Sequence, residues 1–179
     1  MKKVISIVGS NSQQSINKQL INYTYGLFEK AHVISIDLND YVLPIYGIDF
    51  ESENGIPAPV KRLDKLFNQA DGFVVALAEH NGSYAAVFKN TIDWLSRVNM
   101  KIWREKPMLL LATSPGGRGG ATVLHTAKAY FPYLGSHVVA DFSLPNFYDN
   151  FSEDGISNPA YRDELKQKTL LFEEQLYSL

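Results

Sequence analysis

Five short apolar runs alternate along this chain with stretches in which apolar residues recur every three or four positions. The runs predict β-strands, and the three- and four-residue spacing predicts helices with one buried face. The predicted strands are residues 3–8, 31–36, 73–78, 108–113 and 137–142. Because crossovers between parallel strands are right-handed and place each helix over the sheet, we expect an α/β fold. Its sheet would be doubly wound, parallel and five-stranded, with strand order 2-1-3-4-5 and helices on both faces.

Composition limits what such a fold can do. The 179 residues include 45% hydrophobic residues, which suits one globular domain spanning residues 1–179. The absence of cysteine excludes disulfides and thiolate chemistry, so any redox chemistry must belong to a bound cofactor. No apolar run approaches the ~18–20 residues that span a bilayer, so we expect no membrane partner and a cytoplasmic location. The net charge of −2 and the lack of a basic block argue against a nucleic-acid partner.

Small polar loops follow the first, third and fourth predicted strands. They read GSNSQQSIN at residues 9–17, EHNGS at 79–83 and SPGGRGG at 114–120. In the predicted strand order these three strands are neighbours, so their loops converge at one edge of the sheet. The sequence therefore predicts a single ligand site built from three separate segments.

Each loop has both a binding and an ordinary interpretation. The first offers hydroxyls and free N–H groups at a helix start, which suits a phosphate monoester but also an ordinary N-cap turn. It contains neither GxGxxG nor GxxxxGK[ST], so no dinucleotide or Walker-type phosphate site is indicated. The second offers polar groups for the edge and face of a planar heterocycle, although a lone histidine such as His80 is more often a solvated loop residue. In the third, glycines let the backbone approach a ligand, and Arg118 can meet an anion or remain in solvent.

No side chain in the sequence is identified as catalytic. The carboxylates are not paired at a spacing that indicates a general acid and base, and the serines lack a recognisable His/Asp relay. The four histidines have no companions at metal-ligand spacing, so no metal site is predicted.

Several short motifs occur together in a fixed order over about the first two-thirds of the chain. They are Gly9-Ser10 with Ser15-x-Asn17, Pro44-x-Tyr46 with Asp49, Glu79-x-Asn81-Gly82-Ser83, Lys89-Asn90-x-x-Asp93-Trp94, and the loop 114–120. In this order they resemble the NAD(P)H-dependent FMN reductase family of flavodoxin-like proteins. The most specific part is Glu-x-Asn-Gly-Ser followed by Lys-Asn-x-x-Asp-Trp after a buried strand.

The resemblance implies that FMN is the cofactor, with its phosphate in the first loop and its isoalloxazine ring between the second and third loops. The residues implied at the phosphate are Ser10, Ser12, Ser15, Ile16 and Asn17. Those implied around the ring are Glu79, His80, Asn81, Gly82, Ser83, Ser114, Gly116, Gly117 and Arg118. The resemblance also implies a homodimer or homotetramer with the flavin near the subunit interface.

The chain departs from the family pattern at four positions. Ser12 stands where the family usually has an arginine, which removes a charge-assisted phosphate contact worth ~1.5–3 kcal/mol. Ala78 and His80 stand where a proline and a ring-side tyrosine are usual, and Gly47 replaces an asparagine. Weaker retention of FMN is the expected consequence of the first departure.

The implied activity is hydride transfer from NADH or NADPH to FMN, followed by electron transfer to a small acceptor such as free flavin, a quinone or an azo compound. The cofactor carries the redox chemistry, and one open ring face serving both substrates in turn implies ping-pong kinetics. The alternatives are a flavodoxin-like electron carrier or flavin-binding module without turnover of its own, and a scaffold that has lost flavin affinity. The balanced charge favours the enzyme, since a carrier that docks basic partners needs a strongly acidic face.

Two long stretches, residues 37–59 and 143–157, have no clear periodicity. Loops of this length are usually functional or mobile, so we expect both to be irregular and to control access of the acceptor.

Overall fold

The computed structural model describes residues 1–178, and its centre is a five-stranded parallel sheet. In chain order the strands are β1 (Lys3–Gly9), β2 (His32–Ile36), β3 (Gly72–Leu77), β4 (Glu79–His80), β5 (Ser83–Tyr84), β6 (Lys106–Thr113), β7 (Ser136–Leu144), β8 (Phe151–Ser152) and β9 (Gly155–Ile156). The central sheet has the order β2-β1-β3-β6-β7, while β4-β5 and β8-β9 are small antiparallel pairs. Because β6 and β7 are the fourth and fifth strands of the sheet, the predicted order 2-1-3-4-5 is confirmed.

Seven helices accompany the sheet within residues 1–178. They are α1 (Ile16–Tyr25), α2 (Ile48–Asn54), α3 (Ala58–Phe67), α4 (Ala86–Val98), α5 (Ala121–Tyr130), α6 (Phe147–Asn150) and α7 (Pro159–Ser178). Short 3₁₀ turns occupy Leu38–Asp40 and Phe131–Leu134. No helix in this part of the chain combines the length and the apolar composition needed to cross a membrane.

Two hydrophobic cores lie on the two faces of the sheet. Alternate residues of β3 point to opposite faces: Phe73, Val75 and Leu77 join the core under α3, α4 and α5, whereas Val74 and Ala76 join the core under α1 and α7. Every residue of β3 is buried. This two-sided burial explains why the central strands appear in the sequence as unbroken apolar runs instead of alternating ones.

The expectation that residues 37–59 form one irregular loop is wrong. The segment contains a 3₁₀ turn and α2, which has no buried residue and therefore shows no apolar stripe in the sequence. Side chains of α4 hold this segment in place. The carbonyl of Pro44 accepts hydrogen bonds from Asn90 Nδ2 at 3.0 Å and from Trp94 Nε1 at 2.7 Å. Arg97 Nε also donates to Glu51 Oε2 at 2.9 Å.

The stretch 143–157 is also more ordered than expected. It completes β7 and then forms α6 and the β8-β9 hairpin. The ring of Phe147 is buried and stacks on Phe151 at 4.7 Å between centroids. The order of this stretch depends on local aromatic contacts. Because these contacts follow no helical or strand period, the sequence pattern did not reveal it.

Glu173 ties the end of the chain to the turn between α1 and β2. Its carboxylate is buried and accepts three backbone hydrogen bonds, from the N–H groups of Glu29 at 3.1 Å, Lys30 at 2.7 Å and Ala31 at 2.9 Å. Hydrogen bonds to a charged acceptor are stronger than neutral ones, so this single side chain fixes α7 against the first crossover.

We predict that Glu173→Ala lowers the free energy of unfolding by about 2–4 kcal/mol, because three N–H groups lose a charged acceptor. Urea denaturation monitored by circular dichroism measures this change. The neighbouring exposed Glu174 supplies the matched control, and Glu174→Ala should shift the free energy of unfolding by less than about 0.5 kcal/mol. Equal stabilities for the two variants would contradict the assignment.

Candidate functional site

A cleft of about 230 Å³ lies at the carboxyl ends of β1, β3 and β6. Its lining residues are Ser10, Ser12, Gln14, Ser15, Ile16, Asn17, Ala78, Glu79, His80, Thr113, Ser114, Pro115 and Tyr148. Eight of the residues predicted from the sequence are therefore brought together here. The other predicted residues are not among those that line the cleft: Asn81, Gly82, Ser83, Gly116, Gly117 and Arg118.

Two cavities elsewhere on the molecule are larger. One, of about 510 Å³, lies between α7 and the turn that follows α1, and another, of about 560 Å³, lies at the amino ends of β6 and β7. Ligands of doubly wound folds bind outside the carboxyl ends of the strands, at the point where the strand order reverses. We therefore assign the functional site to the smaller cleft at that position.

The first loop presents an anion-binding arrangement at the amino end of α1. Ser15 is the N-cap, and its Oγ accepts a hydrogen bond from Lys18 N at 3.2 Å. Ser10 Oγ accepts from Ser12 N at 3.1 Å. Within residues 1–178 the amide N–H groups of Ile16 and Asn17 have no hydrogen-bond partner. Free N–H groups at a helix start, with serine hydroxyls beside them, are the donor set that a phosphate monoester requires.

The side chain of Asn17 joins two of the three loops. Its Nδ2 donates to Thr113 O at 3.1 Å, and its Oδ1 accepts from Thr113 N at 3.0 Å. Both residues are buried. The carboxamide is thus engaged with the last residue of β6, and Asn17 offers its backbone N–H to the cleft.

The second loop is a tight β-hairpin that the sequence analysis missed. Asn81 and Gly82 have φ values of +52° and +76°, as the two central residues of a type I′ turn require. Asn-Gly between two strands is the strongest short-range signal for this turn. The hairpin ends with Tyr84 in β5, and α4 begins at Ala86.

Glu79 connects this hairpin to α5. The N-cap of α5 is Gly120, which has no side chain to satisfy the first turn, and Glu79 Oε2 accepts the hydrogen bond from Val123 N at 3.0 Å instead. A carboxylate at a helix amino end is also favoured by the helix dipole. Glu79 therefore positions the second loop against the third while forming part of the cleft wall.

The glycine-rich third loop serves two purposes. Gly119 packs so closely against the chain leaving β7 that a Cβ there would lie 2.4 Å from Ser143 Oγ and 2.9 Å from Pro145 N. At Gly116, by contrast, a Cβ would meet nothing within 4 Å. Arg118 is exposed, and its Nη2 donates to Thr122 Oγ1 at 2.7 Å. The glycines nearest α5 are therefore needed for packing, and Arg118 is held along that helix.

Tyr148 is the most notable cleft residue that the sequence analysis did not select. It lies on α6 and is 71% exposed. Two backbone hydrogen bonds anchor its segment to the third loop, from Asn146 N to Gly116 O at 3.0 Å and from Phe147 N to Ser114 O at 3.1 Å. The available signal was topological: the fifth strand also ends at this edge of the sheet, so the loop after it belongs to the site.

A second, smaller cavity of about 100 Å³ also borders the first loop. Ser10, Ser12 and Ser15 line it together with Lys18, Asp37 and residues of β1, β2 and the following turn. Lys18 Nζ donates to Asp37 Oδ2 at 2.8 Å. This bond raises the pKa of the Lys18 ammonium above its usual value and, together with the N–H of Asn39, lowers the pKa of the Asp37 carboxyl.

Residues 1–178 contain no group of three or more His, Cys, Asp or Glu side chains arranged to hold a metal ion.

Comparison with protein families finds one match, to the family described as NADPH-dependent FMN reductase, over residues 2–149. Among curated proteins, the chain is 28% identical over 172 residues to the quinone reductase of Escherichia coli (strain K12), covering 94% of this chain and 87% of the relative. It is 32% identical over 136 residues to an NAD(P)H-dependent FMN reductase of Pseudomonas aeruginosa, covering 75% and 72% of the two chains.

Among solved structures, the chain is similar to FerB, a flavoenzyme NAD(P)H:(acceptor) oxidoreductase from Paracoccus denitrificans. The TM-score is 0.79 at 25% identity, over 99% of this chain and 98% of the other. The fold is thus flavodoxin-like, as the sequence predicts.

We predict that Asn17→Ala lowers the free energy of unfolding by about 2–4 kcal/mol, because the buried N–H and C=O of Thr113 both lose their partner. Urea denaturation measures the change, with Gln19→Ala on the exposed side of the same helix as the control. If Asn17→Ala were no less stable than that control, the hydrogen bonds to Thr113 would not be what joins the two loops.

Proposed function

Because this chain belongs to the NADPH-dependent FMN reductase family, we propose that its cleft holds FMN, with the phosphate at the amino end of α1. The protein is an FMN-dependent oxidoreductase that uses NADH or NADPH as reductant. The observation that carries the assignment is the convergence of three loops into one cleft, with free N–H groups and serine hydroxyls at one end. The other end is formed by the hairpin that contains His80.

The residues of the chain bind and orient the cofactor. The hydroxyls of Ser10, Ser12 and Ser15 and the N–H groups of Ile16 and Asn17 hold the phosphate. Glu79, His80, Ser114 and Tyr148 also line the cleft and would border the isoalloxazine ring. FMN supplies the redox chemistry by accepting a hydride from the nicotinamide and passing electrons to an acceptor. No side chain has to act as an acid, a base or a nucleophile.

We propose a quinone as the first acceptor to test, with free flavin and azo compounds as the other candidates. The E. coli relative is named a quinone reductase and matches nearly the whole chain. His80 and Tyr148 both line the cleft and are exposed, so an imidazole and a phenol ring are available to contact a planar acceptor there. A single open approach for reductant and acceptor in turn favours ping-pong kinetics.

The alternative is a flavodoxin-like electron carrier or flavin-binding module without turnover of its own. The net charge of −2 does not favour it, because a carrier needs a strongly charged face for docking. A scaffold that has lost FMN is motivated by Ser12 alone, and the free N–H groups at α1 do not favour it. One experiment separates the three functions.

We predict that FMN added to the purified protein binds, that its absorbance bleaches on anaerobic addition of NADH or NADPH, and that an added quinone is then turned over. Double-reciprocal plots should be parallel, since reductant and acceptor share one approach. Flavin that binds but is not reduced by either nicotinamide would support the carrier. Protein that binds no FMN would support a scaffold that has lost its affinity for flavin. Intersecting plots would contradict the shared approach.

We also propose that the protein is a cytoplasmic homodimer or homotetramer, since the cytoplasm supplies NADH and NADPH. The dimer face would be the apolar surface formed by α2, the segment just before it and the end of α4. Ile45, Ile48 and Val98 are exposed there at 87%, 59% and 40%, and Phe50 packs against Trp94 of α4 at 6.0 Å between ring centroids. Exposed apolar patches of this kind mark interaction surfaces.

We predict that light scattering during gel filtration gives the mass of two or four chains, and that Ile48→Lys shifts it toward one chain by placing charge in the contact. Leu171→Lys is the control, because Leu171 is similarly exposed, at 53%, but lies on α7. A single-chain mass for the unaltered protein would contradict the proposal. So would an equal effect of the two substitutions.

A further inference from the structure

We propose that Lys18 is the phosphate-binding cation of this site and that Asp37 holds it beside the first loop until FMN arrives. This inference rests on the proposed function, since it concerns how the chain binds FMN. It assigns a binding role to a residue outside the motifs of the first loop, and it explains how the loop works with serine at position 12.

The first loop has little positive charge for a phosphate dianion. Neutral hydroxyls and N–H groups form its donor set. Ser12 stands at the position where the family pattern has an arginine. Among the residues lining the two cavities that border the loop, Lys18 is the one lysine or arginine. Phosphate recognition is much stronger when a donor is charged, so Lys18 is the available source of that charge.

The position of Lys18 suits this role. It lies on the first turn of α1, three residues after the N-cap Ser15, and lines the same small cavity as Ser10 and Ser12. Its side chain is 43% exposed, so the ammonium has room to move. A lysine stem is long and flexible, and it carries a charge that is effective over a range of directions.

Moving Lys18 away from Asp37 costs little. Exposed ion pairs contribute little to stability, and both partners of this pair are at least one-third exposed. Asp37 keeps other partners, because its Oδ1 accepts from Asn39 N at 2.9 Å and from Asn39 Nδ2 at 2.8 Å. The Asp37 carboxylate therefore remains hydrogen-bonded when the Lys18 ammonium moves away. Before that, Asp37 and the phosphate compete for the same ammonium group. Asp40, in the same cavity, competes in the same way at longer range.

The competing explanation is purely structural. In that view the Lys18–Asp37 pair only connects α1 to the turn after β2, and the phosphate is held by neutral groups. The two explanations differ in what Asp37 does: as a competitor its removal strengthens FMN binding, whereas as a structural partner its removal weakens binding or leaves it unchanged.

The experiment measures dissociation constants for FMN and for riboflavin, which lacks the phosphate, by quenching of flavin fluorescence. We expect Lys18→Met to weaken FMN binding by about 10- to 100-fold and to change riboflavin binding by less than about two-fold. Lys18→Arg should restore most of the FMN affinity. Asp37→Asn should strengthen FMN binding by about two- to five-fold without affecting riboflavin.

The matched control is Lys30→Met, which removes the same charge in the exposed turn between α1 and β2 and should leave both constants unchanged. Thermal melting of each variant shows that its fold is retained. FMN affinity should also fall less steeply with salt in Lys18→Met than in the unaltered protein, because one phosphate contact is missing.

Three results would overturn the proposal: no effect of Lys18→Met on FMN, equal losses for FMN and riboflavin, or weaker FMN binding in Asp37→Asn. Failure of the unaltered protein to bind either flavin would overturn the proposed function itself, and this proposal with it. Riboflavin binding that is retained while Lys18→Met has no effect on FMN would overturn the role of Lys18 alone.

Discussion

The paired hydrogen bonds between the Asn17 side chain and the backbone of Thr113 hold the site together. They join the first turn of α1 to the carboxyl end of β6, two segments that are 96 residues apart in sequence. The free N–H groups of Ile16 and Asn17 lie at the end of α1 that these bonds hold beside β6. The third loop begins at the next residue, so one buried carboxamide positions both the amino end of α1 and the start of the third loop.

The motifs that carry the family resemblance act mostly as supports for the ligand. Pro44, Asn90 and Trp94 hold the segment containing α2 against α4. Glu79 caps α5, and the Asn-Gly pair makes the hairpin turn. A flavin site needs flat, well-spaced walls more than it needs reactive side chains, since the cofactor performs the chemistry. It follows that substitutions at these positions should affect the shape of the cleft before they affect any chemical step.

The fold was predictable where burial leaves a simple pattern. Strand β3 is buried on both faces and gave an unbroken apolar run, and the order of the sheet followed from the alternation of strands and helices. Helix α2 was not predictable, because it buries no residue and is held by contacts with distant side chains. In the site, the serines and Glu79 could be selected from their loops. Tyr148 was not selected, because the signal for it was topological, namely the position of its segment after β7.

The account depends most on where FMN sits. Amide chemical-shift changes on titration of isotope-labelled protein with FMN test this directly, since they report every backbone N–H near the ligand. The account predicts that the largest changes occur at Ser10–Asn17, at the hairpin around His80, and at Ser114 and Tyr148, with the N–H groups of Ile16 and Asn17 shifting most. Changes concentrated instead around Ser136 and His137, at the amino ends of β6 and β7, would contradict it.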